Sequence, residues 1–91
     1  MPREDLDAIL GAIEAQSFSD GKLNAVRMAM RDRWASIDQV GALVGAFSFG
    51  SDQVRVVEIC APHVVDPQNA FRLAEHFSFS SDAEQALAAF E

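Results

Sequence analysis

Apolar residues recur along the chain at helical intervals, in six runs joined by short polar corners. Leu6, Ile9, Leu10 and Ile13 fall at i, i+3, i+4 and i+7, one stripe of an amphipathic helix. They predict a first helix over about residues 4–16, with Glu4, Asp5 and Asp7 suited to the positive end of its dipole. Leu23, Val26, Met30 and Trp34 share the inward face of a second, about 20–34. Ser36 and Gln39 have the spacing of a capping box and open a third, about 36–47, with Ile37, Val40, Leu43, Val44 and Phe47 inward. The fourth run, about 51–61, is apolar nearly all round, with only Arg55 and Glu58 as a polar strip. Such a helix belongs at the centre of a fold. Asp66-Pro67 marks the N-cap and first position of a fifth helix, about 66–77, with Ala70, Leu73, Ala74 and Phe77 inward. The sixth, about 81–90, carries Ala83, Ala86, Leu87 and Phe90. Gly11, Gly41 and Gly45 lie inside these runs, where a missing side chain lets a neighbour come close.

The corners repeat. Phe47-Ser48-Phe49-Gly50-Ser51-Asp52 returns about thirty residues later as Phe77-Ser78-Phe79-Ser80-Ser81-Asp82, and Ser17-Phe18-Ser19-Asp20 precedes both by a similar interval. Phenylalanine is a large apolar anchor, and serine and aspartate cap helix N-termini. The expectation is that Phe49 and Phe79 are buried, each closing one hairpin onto the next. The same interval aligns Leu6, Ile13 and Phe18 with Ile37, Val44 and Phe49, and Val40, Leu43 and Phe47 with Ala70, Leu73 and Phe77. Regular spacing of this kind predicts an all-α domain spanning residues 1–91, its six short helices arranged as three stacked antiparallel hairpins.

Length and charge narrow the function. At 91 residues the chain is the size of one domain, and 49% apolar side chains are enough for a core. A net charge of −7 argues against general affinity for nucleic acid or anionic lipid. The second helix departs from that balance. Lys22, Arg27, Arg31 and Arg33 give residues 22–33 a charge of +3, leaving −10 on the rest. Arg27 and Arg31 flank its apolar stripe on one side, and Met28 points away from the stripe. One reading has these arginines pairing with carboxylates of the first and third helices. The other makes Arg27, Met28 and Arg31 a docking surface, since arginine and methionine are enriched at interfaces.

Candidate chemistry is sparse. Cys60-Ala61-Pro62-His63 has C-x-x-H spacing, with Asp66 and His76 downstream, but a structural zinc site wants about four N/S ligands and only one thiol exists. As a nucleophile, Cys60 lies on an apolar helix face in acidic surroundings, the reverse of what a reactive thiolate needs. Asp66 and Asn69 read as a helix cap, aspartate accepting from the helix's own amides and asparagine reaching back. Ser19-Asp20-Gly21-Lys22 lacks the alternating oxygen ligands of a calcium loop. No glycine-rich phosphate loop or nucleophile elbow is present. The expected catalytic, cofactor and metal residues are therefore none, and the chain is read as a non-enzyme. A lone cysteine excludes an internal disulfide, the charged start Met1-Pro2-Arg3-Glu4-Asp5 is unlike a signal peptide, and no run approaches a membrane span. These features fit a cytoplasmic protein, or a domain cut from a longer one.

Phe18 to Asp20, Lys22 and Leu23, then Gln39-Val40, Phe47-Ser48-Phe49, Val65-Asp66-Pro67-Gln68-Asn69 and Phe77-Ser78-Phe79 form a pattern over about residues 17–90. It resembles a bacterial family known only as a helical domain of unknown function, often attached to other segments. His63 stands where that pattern has a tyrosine-like aromatic. The resemblance implies an all-helical fold and carries over no site residues. The leading expectation is a protein-interaction or adaptor domain whose partner is another protein, an acidic one suiting the basic rib, without nucleic acid, membrane or cofactor. The alternative is a small-ligand or regulatory module using a cleft between hairpins.

Overall fold

Ser36 opens the helix whose start the sequence specifies best. Its Oγ accepts from the Gln39 amide at 3.2 Å, and Gln39 Oε1 accepts from the Ser36 amide at 3.0 Å. This is the expected capping box. A computed structural model describes residues 1–91 and contains five α-helices: α1 (Arg3–Glu14), α2 (Ser19–Met30), α3 (Ile37–Gly45), α4 (Gly50–Cys60) and α5 (Ser80–Leu87). A long 3-10 helix, Pro67–His76, lies between α4 and α5, and short 3-10 turns cover Ala61–His63 and Ala88–Phe90. There is no sheet. Ala35 and Val64 form one parallel bridge, with Ala35 N–H donating to His63 O at 2.9 Å and Val65 N–H to Ala35 O at 3.0 Å.

Helices pair as α1 with α2, α3 with α4, and the 3-10 helix with α5. Across these three hairpins, α2, α4 and α5 pack side by side, and α3 packs beside the 3-10 helix. Interaxial distances of about 8–10 Å make such a stack two helices thick, and the Cα envelope is a slab of 29 × 26 × 17 Å. Twenty buried apolar residues form one cluster. Helix α4 sits at its centre, as its all-round apolar pattern predicts. Val54, Val56, Val57 and Cys60 are buried, and α2, α3 and α5 all touch it.

Several expectations are corrected. Helix α2 ends at Met30, not near residue 34, so Trp34 leaves the helical phase and stands 58% exposed, its ring edge-on to His63. The fifth helix is 3-10, in which residues three apart line one side. Ala70 and Leu73 therefore share the inner side, with His76 in line with them at its exposed rim, and Ala74, inward in α phase, is exposed. His76 packs against Gly41, where an added Cβ would lie 2.6 Å from Nε2. Gly41 thus admits a side chain rather than a backbone, while Gly11 and Gly45 face open space. Asp66 caps a different helix from the one it precedes. Its Oδ1 accepts from the Ile37 amide at 2.8 Å, at the start of α3, and Asn69 Nδ2 donates to Oδ2 at 3.0 Å.

The largest correction concerns the corners. The N-caps of α2, α4 and α5 are Phe18, Phe49 and Phe79, in extended conformation and without side-chain caps. These rings are 79%, 67% and 68% exposed. The second corner is closed instead by buried Phe47 and by Gln53, whose Nε2 donates to Phe47 O at 2.9 Å and Val44 O at 3.4 Å. Lys22 does the same at the first, donating to Ile13 O at 3.1 Å. Lys22 and Gln53 each stand four residues after the corner phenylalanine and reach aligned residues, Ile13 and Val44. Polar side chains tie the hairpins at these two corners, so the phenylalanines are left outside.

Candidate interaction site

Helix α2 and the turn that follows it carry four basic side chains, and the fold treats them differently. Lys22 is engaged with Ile13 O, and Arg33 donates to Ala29 O at 2.8 Å and pairs with Asp5 at 3.3 Å. Arg27 and Arg31 are exposed, with no hydrogen bond and no carboxylate within ion-pair distance. Pairing to a neighbouring helix thus accounts for Arg33 and not for Arg27 or Arg31.

Met28 lies between them on the sequence and is 64% exposed, with Asn24 Nδ2 at 3.5 Å from its sulfur. It borders a groove of about 450 Å³ between α1 and α2, floored by small residues such as Ala12, Ala25 and Ala29. Gly21 belongs to the same groove because Gln16 folds over it, 2.6 Å from where a Cβ would be. The sequence periodicity that turns Met28 outward is therefore obeyed, and the structure adds the depression beside it, in which Gln16 and Asn24 join the small residues. Its lining holds no titratable side chain.

A second surface was misjudged by sequence reasoning. Ser19 Oγ donates to Asp52 Oδ2 at 2.8 Å, joining the first corner to the second, and Asp82 lies against Gly50, joining the second to the third. Helices α2 and α4 begin together at this edge and end together at the Ala35–Val64 bridge, so they run parallel. Phe18, Phe49 and Phe79 hold the same N-cap position on three neighbouring helices, and each is exposed at this edge. The signal that could have exposed this was the polar residue four places after Phe18 and Phe49.

The other candidates are structural. Cys60 is fully buried, and burial pushes its thiol up to about 12. His63 turns toward Trp34, ring centroids 5.9 Å apart. No three His, Cys, Asp or Glu side chains gather as a metal cluster would need. The Asn69 side chain foremost, then the Ile37 amide and the charge of Arg72, hold the Asp66 carboxyl below its ordinary range. Ser19 and Lys22 are committed to the corner contacts above.

No helix is long and apolar enough to cross a membrane. Residues 1–90 match the family described as "Domain of unknown function (DUF4476)", a longer match than the motifs over 17–90 suggested. No curated protein and no solved structure matches the chain.

Proposed function

The chain belongs to this family of domains of unknown function, and from that premise we propose that it is a non-catalytic protein-interaction or adaptor domain. The outer face of α2 is the docking surface, and its occupant is an acidic segment of another protein. The observation that carries this reading is the pairing state of the basic residues. Arg27 and Arg31 stand exposed and unpaired on either side in sequence of an exposed methionine, which itself borders a groove between α1 and α2, on a molecule otherwise strongly acidic. A soft apolar contact with two arginines on the same helix face suits a binding hot spot. Charge complementarity then selects the partner. The same −7 charge turns nucleic acid and anionic lipid away, and the free thiol of Cys60 suits the cytoplasm.

The alternative, a ligand module with its cleft between hairpins, finds less support. The depression between the first two hairpins is about 160 Å³, below the roughly 300–1,000 Å³ of small-molecule sites.

A photo-activatable amino acid in place of Met28 tests the proposal. The cross-linked peptide, sequenced by mass spectrometry, should be net acidic, and its synthetic copy should bind the unmodified chain in a salt-sensitive manner. A basic or neutral peptide, or one that does not bind when synthesised, would refute it.

A further inference from the structure

We infer that the row of Phe18, Phe49 and Phe79 is a second docking edge, for an extended basic segment of a partner protein. It uses other residues than the α2 face and stands or falls separately. Three phenylalanines at equivalent corner positions, each about two thirds exposed or more, are separate apolar anchors that the fold does not need, because Lys22 and Gln53 tie the first two corners without them.

Size and charge identify the occupant. Neighbouring helices about 8–10 Å apart spread the three rings over roughly 20 Å. An extended chain covers that length with about six or seven residues. Asp20, Asp52 and Asp82 stand in the first turns of α2, α4 and α5 along the row. The cation beside them, Lys22, lines the depression next to Asp52 and donates to Ile13 O. The edge therefore carries three exposed rings and three first-turn carboxylates, of which Asp52 also accepts from Ser19 and Asp82 lies against Gly50. Lysine and arginine satisfy both, stacking on a ring by cation–π attraction while meeting an acid. Between Phe49 and Ser17, the 160 Å³ depression, which Ser19, Lys22 and Asp52 also line, has room for one side chain of the segment. A second copy of this chain would bring like charges together at the row, and an anionic membrane would be repelled in the same way.

The test is selection of random dodecapeptides by phage display on the whole chain and on the variant Phe18→Ser, Phe49→Ser, Phe79→Ser, with backbone amide NMR of the chain titrated with the best peptide. Enriched peptides should be net positive with interspersed apolar residues. They should shift amides of residues 17–20, 48–52 and 78–82, and bind the triple variant at least tenfold more weakly. Neutralising the edge with Asp20→Asn, Asp52→Asn and Asp82→Asn should weaken binding and flatten its salt dependence. Absence of enrichment, acidic or neutral peptides, or shifts centred on other residues would overturn the inference. So would co-sedimentation with phosphatidylcholine vesicles, or a dimer in sedimentation velocity, if the triple variant abolishes it. Loss of helical circular dichroism in the triple variant would make the rings structural and overturn it as well.

Discussion

Phe47 and Phe49 stand two residues apart with opposite surroundings. Phe47 is 5% exposed and Phe49 is 67% exposed. Truncating a buried phenylalanine to alanine typically costs about 3–5 kcal/mol through lost burial and the cavity left behind. Exposed positions usually stay within about 0.5 kcal/mol. Urea unfolding should therefore place Phe47→Ala far below wild type and leave Phe49→Ala and Phe79→Ala close to it. The sequence could not separate them, since both are phenylalanines flanking the same serine and helical phase is lost at a corner. Cys60 was legible, because an apolar neighbourhood on a helix apolar all round implies burial. With its pKa raised to about 12 in the fold and near 8.5 unfolded, the native state keeps a proton that the unfolded state gives up. That contribution is complete below about pH 8.5 and is lost as pH rises toward the folded value, by up to about 1.4 kcal/mol per pH unit. The stability gap between wild type and Cys60→Ala should narrow over that window. At pH 8, the thiol of the native chain should react with an aromatic disulfide reagent only as fast as the protein opens.

Helix starts and faces were read from local signals, and they survive where the signal is local. The Ser36–Gln39 box concerns residues three apart and was legible. The Asp66 cap crosses 29 residues to the Ile37 amide, and no local rule selects that acceptor over the helix that follows Asp66. Removing it with Asp66→Ala should destabilise the fold by about 1 kcal/mol, the usual worth of a cap, with α3 fraying first in amide exchange. Because the folded carboxyl titrates below its ordinary value, its contribution is present above about pH 4 and is lost as pH falls through the folded pKa. The acid limb of stability should accordingly be shallower in the variant. The switch of the fifth helix to 3-10 was also illegible, because its residues satisfy both periods at Ala70 and Leu73, and only packing of His76 on Gly41 distinguishes them. Alanine is favoured over glycine inside a helix by about 1 kcal/mol. Gly41→Ala should therefore stabilise the His76→Ala background more than it stabilises wild type, where the new Cβ meets the ring. A double-mutant cycle measures the difference.

At the scale of the molecule, the thirty-residue interval fixes three hairpins, and their stacking into a slab follows because each hairpin alone leaves an apolar face uncovered. The sequence also shows which face of α2 points outward, since Met28 lies opposite the stripe of Leu23, Val26 and Met30. It does not show that Arg33 would be taken by Asp5 while Arg27 and Arg31 stay unpaired, a matter of distances between helices. Nor does it show that α2, α4 and α5 would start together and align their corner phenylalanines. The result is a slab with two chemically opposite surfaces, a basic one on the outer side of α2 and an acidic, aromatic one along the helix starts.

The most direct measurement is the affinity of the acidic peptide cross-linked at position 28 for the variant Arg27→Glu, Arg31→Glu, taken alongside its thermal unfolding. Exposed, unpaired arginines predict an unfolding midpoint equal to wild type and binding at least tenfold weaker, with its salt dependence reduced. A lowered midpoint would show that the arginines hold the fold together, and unchanged affinity in a fully folded variant would show that the partner docks elsewhere.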